Sequence, residues 1–215
     1  MSDGLAVEVL ELLSARLCHE LISPVAAINN GIELLQELGD SVADEAIGLV
    51  AQSGRRASGR LRCYRLAYGA AGGGAMVGLD ETREIAEAYL DGGKVTLDWP
   101  PKAGADAVTL PPGTIKMLLN LVVLGADALP YGGRASVGLR LGATPAEITV
   151  MADGRAAGLR DQEAQALAGT SAVDDLTARS VHAYVTGVFA RHYAMTLTTE
   201  QAEDGPLTLR LALPE

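Results

Sequence analysis

The stretch RLCHELISP, residues 16–24, lies inside an amphipathic pattern that extends from Leu5 to Leu38. Apolar residues recur in this pattern at intervals of three, four or seven, as they do along one face of a helix. The residues of this seam are Leu10, Leu13, Leu17, Leu21, Ile28, Ile32 and Leu35. The pattern therefore predicts one long helix with RLCHELISP near its middle.

A second helix is predicted to follow after a short turn. Gly39, Asp40 and Ser41 favour the turn, Ser41 or Asp44 is suited to cap the next helix, and that helix should run to about Tyr68. Its seam has small residues through its middle and consists of Ala46, Val50, Ser53, Ala57, Leu61, Tyr64 and Tyr68. An antiparallel hairpin of two such helices cannot bury both apolar stripes alone. Because two hairpins could bury them across a two-fold axis, we expect a four-helix bundle in a homodimer.

The segment GAAGGGAMVG, residues 69–78, is too rich in glycine to continue a helix. We therefore expect a helical hairpin in residues 1–70, a glycine-rich linker in 71–78 and a second domain in 79–215. Within the second domain, helices are predicted near residues 81–90, 112–129, 161–168 and 174–193, and strands near 95–99, 135–141, 147–152, 196–199 and 207–213. This mixture predicts an α/β sandwich with its helices on one face of a mixed sheet, so the fold class is α+β.

The composition is that of an ordinary globular protein. Of 215 residues, 48% are hydrophobic and 20% are charged, and the net charge is −10. This charge disfavours nucleic acid or an anionic membrane as a partner, because both reward clustered Lys and Arg. The two cysteines, Cys18 and Cys63, have no metal-ligand spacing, and reduced thiols predict a cytoplasmic protein. No secretory signal or membrane-spanning segment is expected.

His19 is the one histidine in the first helix, and helical phase places it on the side opposite the apolar seam. At 100° per residue it points about 175° away from the centre of the seam. An outward-facing histidine is often an ordinary surface residue. The ridge around His19, however, is small and apolar, as on a docking surface, and consists of Leu12, Ala15, Ile22, Ser23 and Ala26. Pro24 also costs about 3 kcal/mol or more in a helix interior, which points to a role other than stability.

The motif His19-Glu20-Leu21-Ile22-Ser23-Pro24 resembles the H-box of histidine kinases, with Ile22 in place of the usual Arg or Lys. A more extensive resemblance, to the ChpT-type histidine phosphotransferases, is carried by LSARLCHELISPVAAINNGIELL (13–35), YRLAYG (64–69) and NLVVLGADALPYGG (120–133). This resemblance implies a kinase-like hairpin followed by a degenerate kinase ATP-binding domain. It also implies a phosphotransferase in which His19 takes a phosphoryl group from a receiver aspartate and passes it to another.

The partners that the resemblance implies are the receiver domain of a CckA-like hybrid histidine kinase and a CtrA-like response regulator. Mg²⁺ is expected on the receiver, and the chain is expected to need no metal or cofactor of its own. A neutral imidazole suits this relay because it is nucleophilic near neutral pH, and transfer then depends on in-line positioning and charge stabilisation.

Four residues are candidates to support His19. Glu20 could orient the ring or act as a base, or be an ordinary surface carboxylate. Ser23, one turn later, could bond a phosphoryl oxygen or be merely tolerated beside Pro24. Arg62 and Arg65 should lie level with His19 in the hairpin and could neutralise the phosphoryl group, or form a solvated face. The candidate docking residues are Leu12, Ala15, Arg16, Ile22 and Ala26.

The second domain decides between a carrier and a kinase. Asn120 falls at the start of a kinase-like N-box, but Leu124 stands where a second asparagine should bind Mg²⁺. The Asp-x-Gly-x-Gly box is reduced to residues 153–158, with the wrong spacing, and the later glycine-rich lid box is replaced by residues 177–184, which lack glycine. The sequence therefore predicts that ATP is not bound. Two rivals stay open: an autokinase with an atypical ATP site, and a non-catalytic adaptor for a response regulator. His182 and His192 are expected to have surface or satisfied core roles.

Overall fold

The computed structural model describes residues 6–38, 42–70, 77–100, 109–142, 145–201 and 205–214. The helices are α1 (Val7–Leu38), α2 (Ala43–Tyr68), α3 (Leu79–Leu90), α4 (Thr114–Asp127), α5 (Asp161–Ala168) and α6 (Val181–His192). The strands are β1 (Val95–Asp98), β2 (Gly133–Arg140), β3 (Glu147–Asp153), β4 (Thr196–Gln201) and β5 (Leu207–Ala212). The expected turn at residues 39–41, with its capping Ser41, and residues 71–76 of the expected linker lie outside the described residues.

The long helices α1 and α2 pack against each other as an antiparallel hairpin. Gly31 of α1 lies against Ala46 and Val50 of α2, and a Cβ atom at Gly31 would come within 2.6 Å of Val50 Cγ2. The N-cap residue of α2 is Val42, which makes no side-chain cap. Asp44, one of the two expected capping residues, lies in the first turn instead. Because Gly31 has no side chain, α1 and α2 can approach each other closely where it meets Ala46 and Val50.

The five strands form one mixed sheet in the order β1-β2-β3-β5-β4. β1 and β2 are parallel and the other pairs are antiparallel, and Val150 of β3 lies in register between Val137 of β2 and Leu209 of β5. These side chains are buried on the face that α4 covers, whereas alternate residues such as Gly138 and Thr149 are at least partly exposed. The expected α+β class, with helices on one face of a mixed sheet, is confirmed.

The face that α1 buries is rotated from the apolar seam read from the sequence. Its buried residues are Val9, Arg16, Pro24 and Gly31. Of the predicted seam, Leu10 and Ile32 are exposed, by 51% and 42%, and the other members are only half-buried. Gly31 leaves room for α2 to approach closely, and the bulkier side chains of the predicted seam lie beside this contact. An apolar stripe that no other described residue covers is therefore formed by Leu10, Val25 and Ile32 of α1 and by Ile47 and Leu61 of α2.

The helix expected over residues 174–193 is wrong in its first part. Val173–Asp175 forms a short 3-10 turn, and α6 begins only at Val181. Between them, Thr177 and Ser180 bond reciprocally: each backbone N–H donates to the other residue's hydroxyl, at 3.0 and 3.2 Å. Hydroxyl side chains that satisfy nearby N–H groups in this way compete with helix formation.

Two side chains of α4 hold the C-terminal end of α2. The ammonium group of Lys116 donates to the carbonyls of Ala67 and Gly69, at 3.2 and 2.6 Å, and Asn120 Nδ2 donates to Ala67 at 2.9 Å. The last carbonyls of a helix lack partners within it, so these bonds satisfy groups that would otherwise be buried unpaired. Burial lowers the pKa of Lys116 to about 8.

No helix among the described residues is long and apolar enough to cross a membrane.

His182 of α6 is fully buried and hydrogen-bonded, as expected for a core histidine. Its Nδ1 lies 2.7 Å from Tyr68 Oη and its Nε2 lies 3.2 Å from the carbonyl oxygen of Asn120. A carbonyl can only accept, so Nε2 carries the proton and Nδ1 accepts from the tyrosine. Burial lowers the pKa of His182 to about 3, with Arg16 also lowering it and the Asn120 bond opposing.

His182 should make folding stability depend on pH. Its pKa is depressed in the folded chain, so unfolded chains bind more protons between pH 6.5 and 3 and the stability contribution is lost as pH falls through that window. The variant His182→Gln keeps an acceptor for Tyr68 but has no titrating ring. Between pH 7 and pH 5 we expect the free energy of unfolding of the wild type to fall by about 2 kcal/mol more than that of the variant. Urea unfolding at both pH values measures this. A difference that does not change with pH would contradict the buried neutral state.

Candidate functional site

His19 is exposed on α1, five residues before Pro24. The ridge beside it contains Ala15, Ile22, Ser23 and Ala26, which are all exposed, and Ile22 is 64% accessible. Leu12, expected on the same ridge, is half-buried and packs against the hydrophobic core. The imidazole therefore stands on an open surface of small and apolar side chains that a partner could approach closely.

Arg16, expected among the docking residues, lies inside the molecule instead. Its side chain is only 9% exposed, and Nη2 lies 2.5 Å from Oδ2 of Asp127 at the end of α4. The expectation that Arg16 faces a partner protein is thus not met, because Asp127, 111 residues away in the chain, binds its guanidinium group. Burial raises the pKa of Asp127 to about 6, against the opposing effect of Arg16, so the pair is ionised at neutral pH and above. This pair ties the turn before His19 to the second domain.

Glu20, the neighbour of His19, is held by an arginine of α2. Arg60 Nη1 lies 2.7 Å from Glu20 Oε2 and also donates to the backbone carbonyl oxygen of Glu20. Both side chains are about one-third exposed, at 30% and 27%. Glu20 is therefore an ion-paired group turned towards α2 rather than a free surface carboxylate.

Arg60 was not among the supporting residues expected from the sequence. Arg62 is exposed and lines an open groove between α2 and α3, together with Glu84 and Glu87. Arg65 is also exposed. Their roles beside His19, like that of Ser23, stay predictions. The sequence holds one part of this signal, since Pro24 has no N–H for the Glu20 carbonyl, but it does not show which residue supplies the donor instead.

A cleft of about 270 Å³ opens beside Glu20 and Arg60, between the hairpin and the second domain. Its charged lining is balanced, with three cationic and three anionic side chains: Arg56, Arg60, Lys94, Glu20, Asp91 and Asp127. Arg56 donates to the carbonyl oxygen of Gly92 in the loop after α3. Among the described residues, no group of three His, Cys, Asp or Glu is arranged to hold a metal ion.

The residues that match kinase nucleotide boxes have structural contacts in this chain. Asn120 is fully buried, and its Nδ2 donates to the carbonyls of Ala67 and Lys116, at 2.9 and 2.8 Å. Leu124 is buried in the core, and Asp153 is exposed at the end of β3. The amide of Asn120 thus joins α4 to the hairpin.

The comparisons with known proteins agree with each other. A family model described as the histidine phosphotransferase C-terminal domain matches residues 79–205. Protein phosphotransferase ChpT of Brucella abortus (strain 2308) is 36% identical over 202 residues, which cover 93% of this chain and 93% of the relative. The 1.7 Å structure of a bacterial phosphotransferase matches with a TM-score of 0.80 and 29% identity, over 98% of both chains.

Proposed function

The chain belongs to the family of ChpT-like histidine phosphotransferases, and from this membership we propose that it carries phosphoryl groups between receiver domains through His19. The donor is the receiver aspartate of a hybrid histidine kinase, and the acceptor is the aspartate of a response regulator. The observation that carries the proposal is the position of His19, which is exposed on a ridge of small and apolar side chains of a long helix, five residues before Pro24.

The transfer is two in-line displacements at phosphorus. A ring nitrogen of His19 attacks the phosphorus of the aspartyl phosphate with its lone pair, the P–N bond forms, and the P–O bond breaks with its electron pair leaving on the aspartate. The acceptor aspartate then attacks the phosphoryl group, and the imidazole leaves. Positioning and charge stabilisation supply most of the catalysis of phosphoryl transfer. The largest local charge would come from Mg²⁺ bound to the receivers. The chain itself then needs no metal, and we propose that it binds no ATP.

The proposal is tested with purified receiver domains. A receiver carrying labelled phosphate is mixed with the chain, and a second, unlabelled receiver is added after the first is removed. We expect the label to appear on the chain and then on the second receiver. Label that appears on incubation with Mg²⁺ and ATP alone would instead indicate an autokinase. Receiver binding without any transfer would indicate an adaptor.

We also propose that two hairpins pair as a homodimer through the apolar stripe that the fold leaves uncovered. Leu10, Val25 and Ile32 on α1 and Ile47 and Leu61 on α2 are each at least 42% exposed. Burial of such side chains contributes about 1.5 to 3 kcal/mol each when it is complete. We propose separately that the protein is cytoplasmic, which is in keeping with the free thiols of Cys18 and Cys63.

A charge placed on this stripe should separate the dimer. We expect Leu10→Asp combined with Ile32→Asp to yield a monomer, because two carboxylates would be buried without partners in the bundle. Light scattering during size-exclusion chromatography gives the mass. The matched control is Ile22→Asp on the His19 ridge, which should stay dimeric while binding receivers poorly. A dimer that survives the double substitution would exclude this interface.

A further inference from the structure

We propose that Arg60 is a positioning residue, which fixes the helical turn of His19 through the backbone carbonyl that Pro24 leaves without its helical donor. The inference rests on the proposed function of His19. It adds a residue of α2 to the requirements of the site.

The local geometry of α1 supplies the first step. In a helix the carbonyl oxygen of residue 20 accepts a bond from the N–H of residue 24, but Pro24 has no N–H, and its ring pushes that carbonyl aside. Pro24 is buried within a helix that continues to Leu38. The freed carbonyl belongs to Glu20, the residue directly after His19. A defect that usually costs stability is therefore placed beside the reactive imidazole.

Arg60 supplies the missing donor and a charge at the same time. Its Nη1 donates to the Glu20 carbonyl and pairs with the Glu20 carboxylate at 2.7 Å. One guanidinium thus holds both the backbone and the side chain of the residue next to His19. Since a phosphoryl group brings additional negative charge to His19, neutralising Glu20 also reduces repulsion at that moment.

The kinetic test compares single substitutions on the same helix. Arg60→Met removes every donor and keeps an apolar stem, so the rate of transfer at saturating receiver should fall by about 10- to 100-fold, as expected when a reacting group is misplaced by about 1 Å. The receiver concentration that gives half the maximal rate should change little, because Arg60 belongs to α2 and is not one of the ridge residues. Arg60→Lys should recover part of the rate. Arg55→Met is the matched control, since Arg55 is exposed on α2 and should leave the rate unchanged.

Pro24→Ala provides the second arm of the test. It restores an N–H to the helix, so the Glu20 carbonyl no longer depends on Arg60. We expect Arg60→Met to slow transfer by only about twofold in the Pro24→Ala background, and the two substitutions to be equally non-additive in urea unfolding. A purely structural or purely electrostatic role for Arg60 would give the same loss in both backgrounds.

The outcomes separate this inference from the proposed function. If the wild type takes no phosphoryl group from a phosphorylated receiver, the proposed function fails, and the coupling of Pro24 and Arg60 in urea unfolding still decides whether the freed carbonyl is held. If the wild type transfers normally and the effects of Arg60→Met and Pro24→Ala simply add, in rate and in unfolding, the positioning role is overturned.

Discussion

His19→Ala is expected to take no label from a phosphorylated receiver, a loss of about a thousandfold or more in the rate of phosphoryl acceptance. The methyl group of alanine has no lone pair to attack phosphorus, and none of the residues of the ridge is a second histidine. The substitution removes an exposed side chain from a helix and replaces it with the best helix former, so the fold should persist. Rapid mixing with labelled receiver, followed by gel separation, measures the rate.

The chain offers a matched control for this experiment in His192. It is also an exposed histidine in a helix, but it lies in the last turn of α6. His192→Ala should take up label like the wild type, and the bound label should be released by acid, as a phosphoramidate is. His19→Ala should still bind receivers, because the ridge around it is unchanged. Label on His19→Ala, or its loss in His192→Ala, would disprove the assignment.

Much of the fold could be predicted from local patterns. The bounds of α1, α2 and α5, and the mixed sheet, follow from apolar periodicity and from glycine-rich breaks, which act over a few residues. The start of α6 was wrong because Thr177 and Ser180 bond each other's backbone rather than join a helix. This local competition leaves no mark on the apolar period.

The candidate site was only partly predictable, because its contacts are long-range. The exposure of His19 follows from helical phase alone. The burial of Arg16 depends on Asp127, which is far along the chain, and helical phase cannot show a partner on another element. Counting residues through an unseen turn predicts Arg62 and Arg65 level with His19, and their roles stay predictions, whereas the arginine that pairs with Glu20 is Arg60. Helix periodicity shows which side chains share a face, but it fixes neither which face is buried nor the height of a side chain against the neighbouring helix.

Asp127→Ala is expected to destabilise the chain by about 1 to 3 kcal/mol, since it leaves the charge of the nearly buried Arg16 without its closest carboxylate. The guanidinium of Arg16 is the more deeply enclosed member, with 9% of its side chain exposed against 33% for Asp127. Its Nε already has no hydrogen-bond partner among the described residues. Arg16 would therefore keep a buried charge with its closest carboxylate removed. Urea unfolding at pH 7.5, where Asp127 is ionised, measures the loss.

Arg16→Met should cost less than Asp127→Ala, and this order is the sharper part of the prediction. Methionine fills the space of the arginine stem, and the Asp127 carboxylate can still be reached by water. Glu200→Ala, which breaks the exposed pair with Arg210 on the open sheet face, is the matched control and should leave the unfolding midpoint unchanged. Because the pair joins α1 to α4 one turn before His19, Asp127→Ala should also slow phosphoryl transfer, whereas Glu200→Ala should not. Equal losses for Asp127→Ala and Arg16→Met would mean that Arg16 finds water once its partner is gone, and that the pair does not anchor the helix of His19.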